Sequence, residues 1–367
     1  MQLYIGIMSG TSLDGVDVAL ASFEGLTAEN TACQLIATHF LPYPDALKLD
    51  LLALHEPSPN ELEASILLGN RLAVLYADAV NNLLKSAQKS PSDITAIGCH
   101  GQTIRHRPEL GFTLQIGNSA LLAELTGISV VGDFRSRDIA AGGQGAPLVP
   151  AFHLALFGSK QVNRALINIG GIANITYMGK NGDVLGFDSG PGNMLLDSWT
   201  KLKIGKAYDA DGAWAATGVV HESLLSNMLA EPYFALPPPK STGRDLFNDH
   251  WLKQHQLYPH LRPQDVARTL VALSARSIVD ALSKCGNIDE VYLCGGGAHN
   301  KLLVDTLQGM LGAVSVRTTK DLGIDVDWVE AVAFAWLAKQ NVDNKPSNLP
   351  AVTGAKGLRV LGAVYPA

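Results

Sequence analysis

The chain has 367 residues, 47 % of them apolar and 17 % charged, against about 25 % charged in an ordinary soluble domain. That length predicts about two domains, and the composition excludes general disorder and a coiled coil. Twenty-eight basic against 34 acidic residues give a net charge of −6, which leaves no basic footprint for nucleic acid.

Residues 3–8 are apolar and partly β-branched, residues 9–15 are turn-rich, and 16–20 resume a strand. A third strand is predicted around residues 33–40. Two helical patterns follow; the longer runs from about 59 to 88, with Asn60 as cap and Glu61 and Glu63 in the first turn. Residues 94–99 read as a buried strand ending at His100-Gly101-Gln102-Thr103. A strand at 112–116, a helix near 118–125 and a strand at 128–132 form another alternating unit, as expected of an α/β sheet.

The second half repeats the device. Residues 164–169 form a strand, Gly170-Gly171 a turn, and 172–178 a returning strand. The strand 184–187 is expected to end on Asp188-Ser189-Gly190-Pro191-Gly192-Asn193, and Pro237-Pro238-Pro239 forces a loop before Gly243. A helix at 264–283, a strand at 290–294 and a helix at about 327–340 complete the pattern. The recurrence predicts two related α/β domains facing each other across a cleft, divided near residue 158.

No apolar run reaches the roughly 20 residues of a membrane span, because Pro147, Pro150 and His153 interrupt the stretch 146–158. The N-terminus lacks the basic lead of a signal peptide. Cys33, Cys99, Cys285 and Cys294 have no Cys-x-x-Cys spacing and read as reduced packing residues. A cytosolic protein is expected.

Four segments carry candidate chemistry. Gly10-Thr11-Ser12-Leu13-Asp14-Gly15-Val16-Asp17 is either a phosphate-binding turn, with Asp14 and Asp17 near a metal, or an ordinary hairpin turn. The turn Asn168-Ile169-Gly170-Gly171-Ile172-Ala173-Asn174 admits the same two readings. Asp188 is placed to act as a general base, with helix capping as its structural alternative. Gly295-Gly296-Gly297, before Ala298-His299-Asn300, lets a flat nucleoside lie on bare backbone or simply links strand to helix. His100, at a strand end, is the one histidine with a candidate functional role, with structural hydrogen bonding as the alternative. Absent are the Gly-x4-Gly-Lys-Ser/Thr loop, a complete dinucleotide fingerprint, the zinc-protease motif and a Gly-x-Ser-x-Gly elbow.

Together these segments resemble the nucleotide-binding fold of sugar kinases, Hsp70-type chaperones and actin. More narrowly, residues 8–17, 100–103, 132–135, 142–150, 187–193, 239–245 and 352–355 resemble the anhydro-N-acetylmuramic acid kinase family over essentially the whole chain. The resemblance implies two related RNase H-like domains flanking an ATP cleft: residues 1–158, and 159–367, leaving open that the last helix and tail pack back on the first lobe. It implies an ATP-dependent, cytoplasmic kinase converting 1,6-anhydro-N-acetylmuramic acid to N-acetylmuramic acid 6-phosphate in peptidoglycan recycling, with no nucleic-acid or membrane partner and a homodimer as one option.

It further implies catalytic roles for Asp188 and Glu330, and ATP contacts from Gly10, Thr11, Ser12, Leu13, Asp14, Gly15, Val16, Asp17, Asn168, Gly170, Gly171, Asn174, Gly295, Gly296, Gly297 and Asn300. Sugar contacts fall to His100, Gln102, Arg135, Gly190 and Asn193, and Mg²⁺ to Asp14. Another small-sugar kinase, or an ATP-gated interaction protein of the Hsp70 or actin type, are the competing expectations.

Overall fold

The computed structural model describes residues 2–10, 13–24, 32–255 and 261–367; Thr11 and Ser12 lie outside this set. The chain divides into two compact units, Met1–Leu156 with Trp328–Ala367, and Phe157–Asp327.

In the first unit β1 (Leu3–Met8), β2 (Gly15–Glu24) and β3 (Ala32–Pro42) form an antiparallel meander. β4 (Ile94–Cys99) joins β1 in parallel, and a hairpin of β5 (Gln102–Arg107) and β6 (Phe112–Ile116) stands apart from the sheet. β7 (Val130–Gly132) runs parallel to β4. The second unit holds β8 (Arg164–Ile169), β9 (Ile172–Met178), β10 (Val184–Pro191), β11 (Glu290–Cys294) and β12 (Ser315–Thr318). The last strand of the chain, β13 (Ala363–Tyr365), closes the first unit's sheet against β7.

The sheet orders are β13-β7-β4-β1-β2-β3 and β10-β9-β8-β11-β12. Each contains an antiparallel three-strand meander extended by two parallel strands, so one topology occurs twice, the RNase H-like arrangement implied above. Burial follows position. β1 is covered on both faces and is a nearly unbroken apolar run, whereas edge strand β3 alternates between exposed and half-buried residues.

One face of the first sheet, through Ile5, Ile7, Val18 and Leu20, packs on the helix Glu61–Ala87, whose buried Leu68, Leu72, Tyr76, Val80 and Leu83 recur at helical spacing. The opposite face receives the helix Val329–Val342. Its backbone comes so close that a Cβ on Gly6 would lie 1.8 Å from the Ala331 carbonyl oxygen, and one on Gly98 2.0 Å from that of Phe334. The second unit has a separate core, where Ile167, Ile169, Ile175 and Phe187 pack with Leu270, Leu273 and Ile278 of the helix Pro263–Leu282.

Two sequence expectations are corrected, and one left open is decided. The second unit ends at Asp327, and residues 328–367 cover and extend the first sheet, the arrangement left open above for the last helix and tail. β10 does not stop at Phe187: a bulge between Asp188 and Gly190 lets pairing resume at Ala173 and Ile172. Asn60 does not cap through its side chain; its backbone is left-handed and its amide donates to Glu63 at 2.6 Å.

Gly98→Ala is expected to force the helix Val329–Val342 outward at a cost of about 1–3 kcal/mol. A lower urea midpoint would register this, and an unchanged midpoint would refute the close approach.

Candidate active site

Within the first unit, the β1–β2 turn is tied to the end of β4 by a buried hydroxyl and amide network. The Ser9 hydroxyl donates to the Gly101 carbonyl at 2.9 Å and lies 2.7 Å from the Tyr76 hydroxyl. Gln102 donates its amide to the Gly10 carbonyl at 3.2 Å and accepts from the Tyr43 hydroxyl at 3.2 Å. Gln102 is thus a brace for the turn. Leu13 adopts φ 60° with its side chain in the core, and its N–H donates to the Gly10 carbonyl at 3.2 Å. Asp14 is exposed, Val16 is buried in β2, and Asp17 pairs with Met8 across the strands. A Cβ on Gly15 would meet the Leu41 carbonyl at 2.4 Å, so this position in the turn admits only glycine.

His100 is buried and neutral: burial first, and then the Arg135 charge, push it down to about 3. Its Nε2 accepts from Arg135 Nη2 at 2.9 Å, while Arg135 Nη1 donates to the Gly145 carbonyl at 2.8 Å. Burial lowers Arg135 to about 10, with Glu330 acting in the opposite sense, so the guanidinium is charged at neutral pH. Glu330, in the first turn of Val329–Val342, is raised by burial and partly restored by Arg135. The structure therefore brings His100, Arg135 and Glu330 together.

Asp138, missed in the sequence, organises the loop beneath them. Its carboxylate accepts from the Gly145 N–H at 2.8 Å, the Asn348 amide at 2.8 Å and the Thr353 hydroxyl at 2.9 Å. Two segments more than 200 residues apart thus meet on one buried carboxylate, which explains why 142–150 and 352–355 belong to one pattern.

In the second unit the Gly170-Gly171 turn is overlaid by the segment following Asp188. The N–H groups of Gly192 and Asn193 donate to the Gly171 and Gly170 carbonyls at 2.9 and 2.8 Å. A Cβ on Gly192 would sit 2.3 Å from the Gly170 oxygen. Gly190 has φ 154°, and a side chain there would strike Phe234. The glycine loop reaches the same turn from the other side: a Cβ on Gly295 would meet the Asn168 Oδ1 at 2.3 Å, and one on Gly297 the Ile169 Cγ2 at 2.2 Å. Gly296 is exposed, with open space where its side chain would be. Asn300 is buried, and its oxygen caps the helix Lys301–Leu311 through the Leu303 N–H at 3.1 Å.

Asp188 lies on the bulge of β10. Asn174 donates its amide to Oδ1, and the Thr242 N–H donates to Oδ2 at 2.9 Å. The Asp188 N–H donates to the Lys240 carbonyl at 3.0 Å, and the Tyr233 hydroxyl donates to the Asp188 carbonyl at 2.8 Å. Burial raises the carboxyl above the usual range, opposed by the Thr242 and Asn174 hydrogen bonds and by the Lys240 charge. Lys240 is itself lowered to about 8 by burial and by Lys284, and lies 4.4 Å from the centre of the Tyr233 ring. Asn174, expected at phosphate, donates to Asp188. Thr242 and Tyr233 went unassigned in the sequence, although Thr242 lies in the noted segment 239–245.

Residues 2–367 match the family model described as anhydro-N-acetylmuramic acid kinase. The chain belongs to the anhydro-N-acetylmuramic acid kinase family. It is 53 % identical over 367 residues to the anhydro-N-acetylmuramic acid kinase of Nitrosospira multiformis, covering 99 % of each chain. It is also 53 % identical over 369 residues to that of Pseudomonas putida, covering both chains completely. Component A of the Acidaminococcus fermentans (R)-2-hydroxyglutaryl-CoA dehydratase is a remote structural match, with TM-score 0.48, 12 % identity, and coverage of 91 % of this chain and 96 % of that one; similarity at that level adds nothing to the assignment.

As a member of the anhydro-N-acetylmuramic acid kinase family, the chain is an ATP-dependent phosphotransferase of cell-wall recycling. It converts 1,6-anhydro-N-acetylmuramic acid to N-acetylmuramic acid 6-phosphate as the anhydro ring is opened by water. Among the described residues no helix is long and apolar enough to cross a membrane.

Replacing Lys240 by Met removes a positive charge that favours ionised Asp188. The Asp188 carboxyl is therefore expected to titrate at higher pH in Lys240→Met, read by ¹³C NMR of labelled aspartate. An unmoved titration would exclude the electrostatic coupling.

Proposed function

We propose that Asp188 is the general base of this kinase and that it acts on the water that opens the anhydro bridge. The supporting observation is a half-buried carboxylate with both oxygens hydrogen-bonded, on a strand bulge directly beside the Gly170-Gly171 turn. Burial favours proton uptake by such a group, and its donors keep it ionised enough to accept one.

In this reading Asp188 takes a proton from water as the oxygen bonds to C1. The C1–O6 bond breaks, and its electron pair stays on O6. O6 then bonds to the γ-phosphorus and ADP leaves. Phosphoryl transfer of this kind needs chiefly alignment and charge neutralisation.

We assign ATP contacts to Gly10, Thr11, Ser12, Leu13, Asp14, Gly15, Val16 and Asp17, to Asn168, Gly170, Gly171 and Asn174, and to Gly295, Gly296, Gly297 and Asn300. Gly170 and Gly171, where an added Cβ would meet nothing nearer than 3.6 Å, and Gly296, where it would meet open space, leave bare backbone for phosphate or nucleoside to approach, while Gly15, Gly295 and Gly297 let their turns pack tightly. Buried Leu13 and Val16 would serve by shaping the turn, Asn174 by holding Asp188, and Asn300 by capping its helix.

His100, Gln102, Arg135, Gly190 and Asn193 are assigned to the sugar. Arg135 Nε is buried with no hydrogen-bond partner among the described residues, which suits a lactyl carboxylate. Glu330, facing Arg135, orients sugar or water.

Asp14, an exposed carboxylate at the β1–β2 turn, would hold a Mg²⁺ ion there. Such an ion supplies charge neutralisation at the phosphates. We place the reaction in the cytoplasm, where its ATP is made.

Asp188→Asn is expected to abolish sugar phosphate formation, followed by mass spectrometry, with ATP affinity changed by less than about threefold. Turnover at the wild-type rate would refute the base. ATP hydrolysis unaffected by anhydro-sugar would instead favour an ATP-gated interaction protein.

Self-association as a homodimer is supported by exposed Leu62, Ile66 and Leu67 on the helix Glu61–Ala87 and by Leu49 and Leu52 on Asp45–Ala53. Light scattering should give a dimer mass for the wild type and a monomer mass for Leu62→Glu/Ile66→Glu; equal masses would remove this face from the interface.

A further inference from the structure

The Thr242 hydroxyl has no role in the activity as derived so far, yet the segment Pro239-Lys240-Ser241-Thr242-Gly243 that carries it grips Asp188 twice. The Lys240 carbonyl accepts from the Asp188 N–H at 3.0 Å, and the Thr242 N–H donates to the carboxylate at 2.9 Å. Its conformation is held from outside by the Lys240 ammonium, which donates to the Tyr233 and Phe234 carbonyls at 3.0 and 3.4 Å. Tyr233 in turn donates its hydroxyl to the Asp188 carbonyl.

In this braced setting the Thr242 hydroxyl is buried and has no hydrogen-bond partner among the described residues. A buried hydroxyl left unpaired costs free energy, and in a native protein it calls for an explanation. Its own backbone nitrogen is within hydrogen-bond distance of Asp188 Oδ2, so the hydroxyl is within one residue's reach of that carboxylate. Both Asp188 oxygens already accept from protein donors, and each retains a further lone pair for a proton from water.

We propose that the Thr242 hydroxyl is a catalytic residue that binds the attacking water together with Asp188. The inference rests on the reading of Asp188 as the base. The water gives one hydrogen to the Asp188 carboxylate and the other to Thr242 Oγ1, which leaves an oxygen lone pair free for C1. A water held by one acceptor rotates about that bond, whereas two acceptors fix the direction of attack. Thr242 neither gains nor loses a proton in this step.

The test is steady-state kinetics on the full chain, with ATP and anhydro-sugar, for Thr242→Val, Thr242→Ser and Asp188→Asn. Thr242→Val, nearly isosteric, should lose about tenfold or more in kcat with the KM for ATP unchanged. Thr242→Ser, which keeps the hydroxyl, should stay within about threefold of wild type.

Wild-type kcat in Thr242→Val would overturn the proposal. So would a Thr242→Ser as defective as Thr242→Val, because the loss would then come from loop packing. Should Thr242→Val fold poorly by its unfolding midpoint, Thr242→Ala is compared with Thr242→Ser by the same criterion. Full activity in Asp188→Asn refutes the base itself, whereas an inactive Asp188→Asn beside a fully active Thr242→Val refutes only the hydroxyl.

Discussion

A carboxylate withdrawn from water must find donors, and meeting that demand organises both units. In the first, Asp138 gathers an amide N–H, a side-chain amide and a hydroxyl from segments far apart in the chain. In the second, Asp188 draws in the neighbouring strand through Asn174 and a distant loop through Thr242. A buried charge is tolerated only when it is hydrogen-bonded. Satisfying these two groups therefore fixes the loops around them, and the surrounding glycines follow from how tightly those loops are drawn.

The two centres differ in what the environment leaves behind. Asp138 is fully buried among its donors and serves as a structural knot. Asp188 is only partly covered, and burial shifts it toward proton uptake while Asn174, Thr242 and Lys240 oppose that shift. The opposition gives it a carboxylate that is both held in place and able to change protonation state, the property general base catalysis asks for. His100 and Arg135 form a complementary pair in which a neutral imidazole accepts from a permanent cation, so positive charge is concentrated on Arg135.

Much of this was legible in the residues. The two glycine turns, the strands that flank them and the helix before residue 88 announce themselves through apolar runs broken by Gly and Asp. What remained hidden depended on distance or on backbone detail. Asp138 looks like an ordinary helix acid because its partners, Asn348 and Thr353, are at the other end of the chain. β10 looks finished at Phe187 because Gly190 and Pro191 read as breakers, yet the bulge carries the pairing past them. Asn60 resembles a cap by type but not by conformation, since its left-handed backbone turns the amide toward Glu63. Thr242 had a recognisable neighbourhood and no signal of its own; only the loop's return onto Asp188 gives it meaning.

The helix Val329–Val342 closes against Gly6 and Gly98, joining the beginning of the chain to its end. During synthesis, β1 and β4 leave the ribosome long before the element that covers their second face. The intervening residues 157–327 are contiguous and have their own core, so they possess all they need to fold while the earlier strands are still half clothed. The first unit therefore cannot finish maturing before the second has been made, and a nascent chain stalled before residue 328 would present one unsheltered sheet face to chaperones.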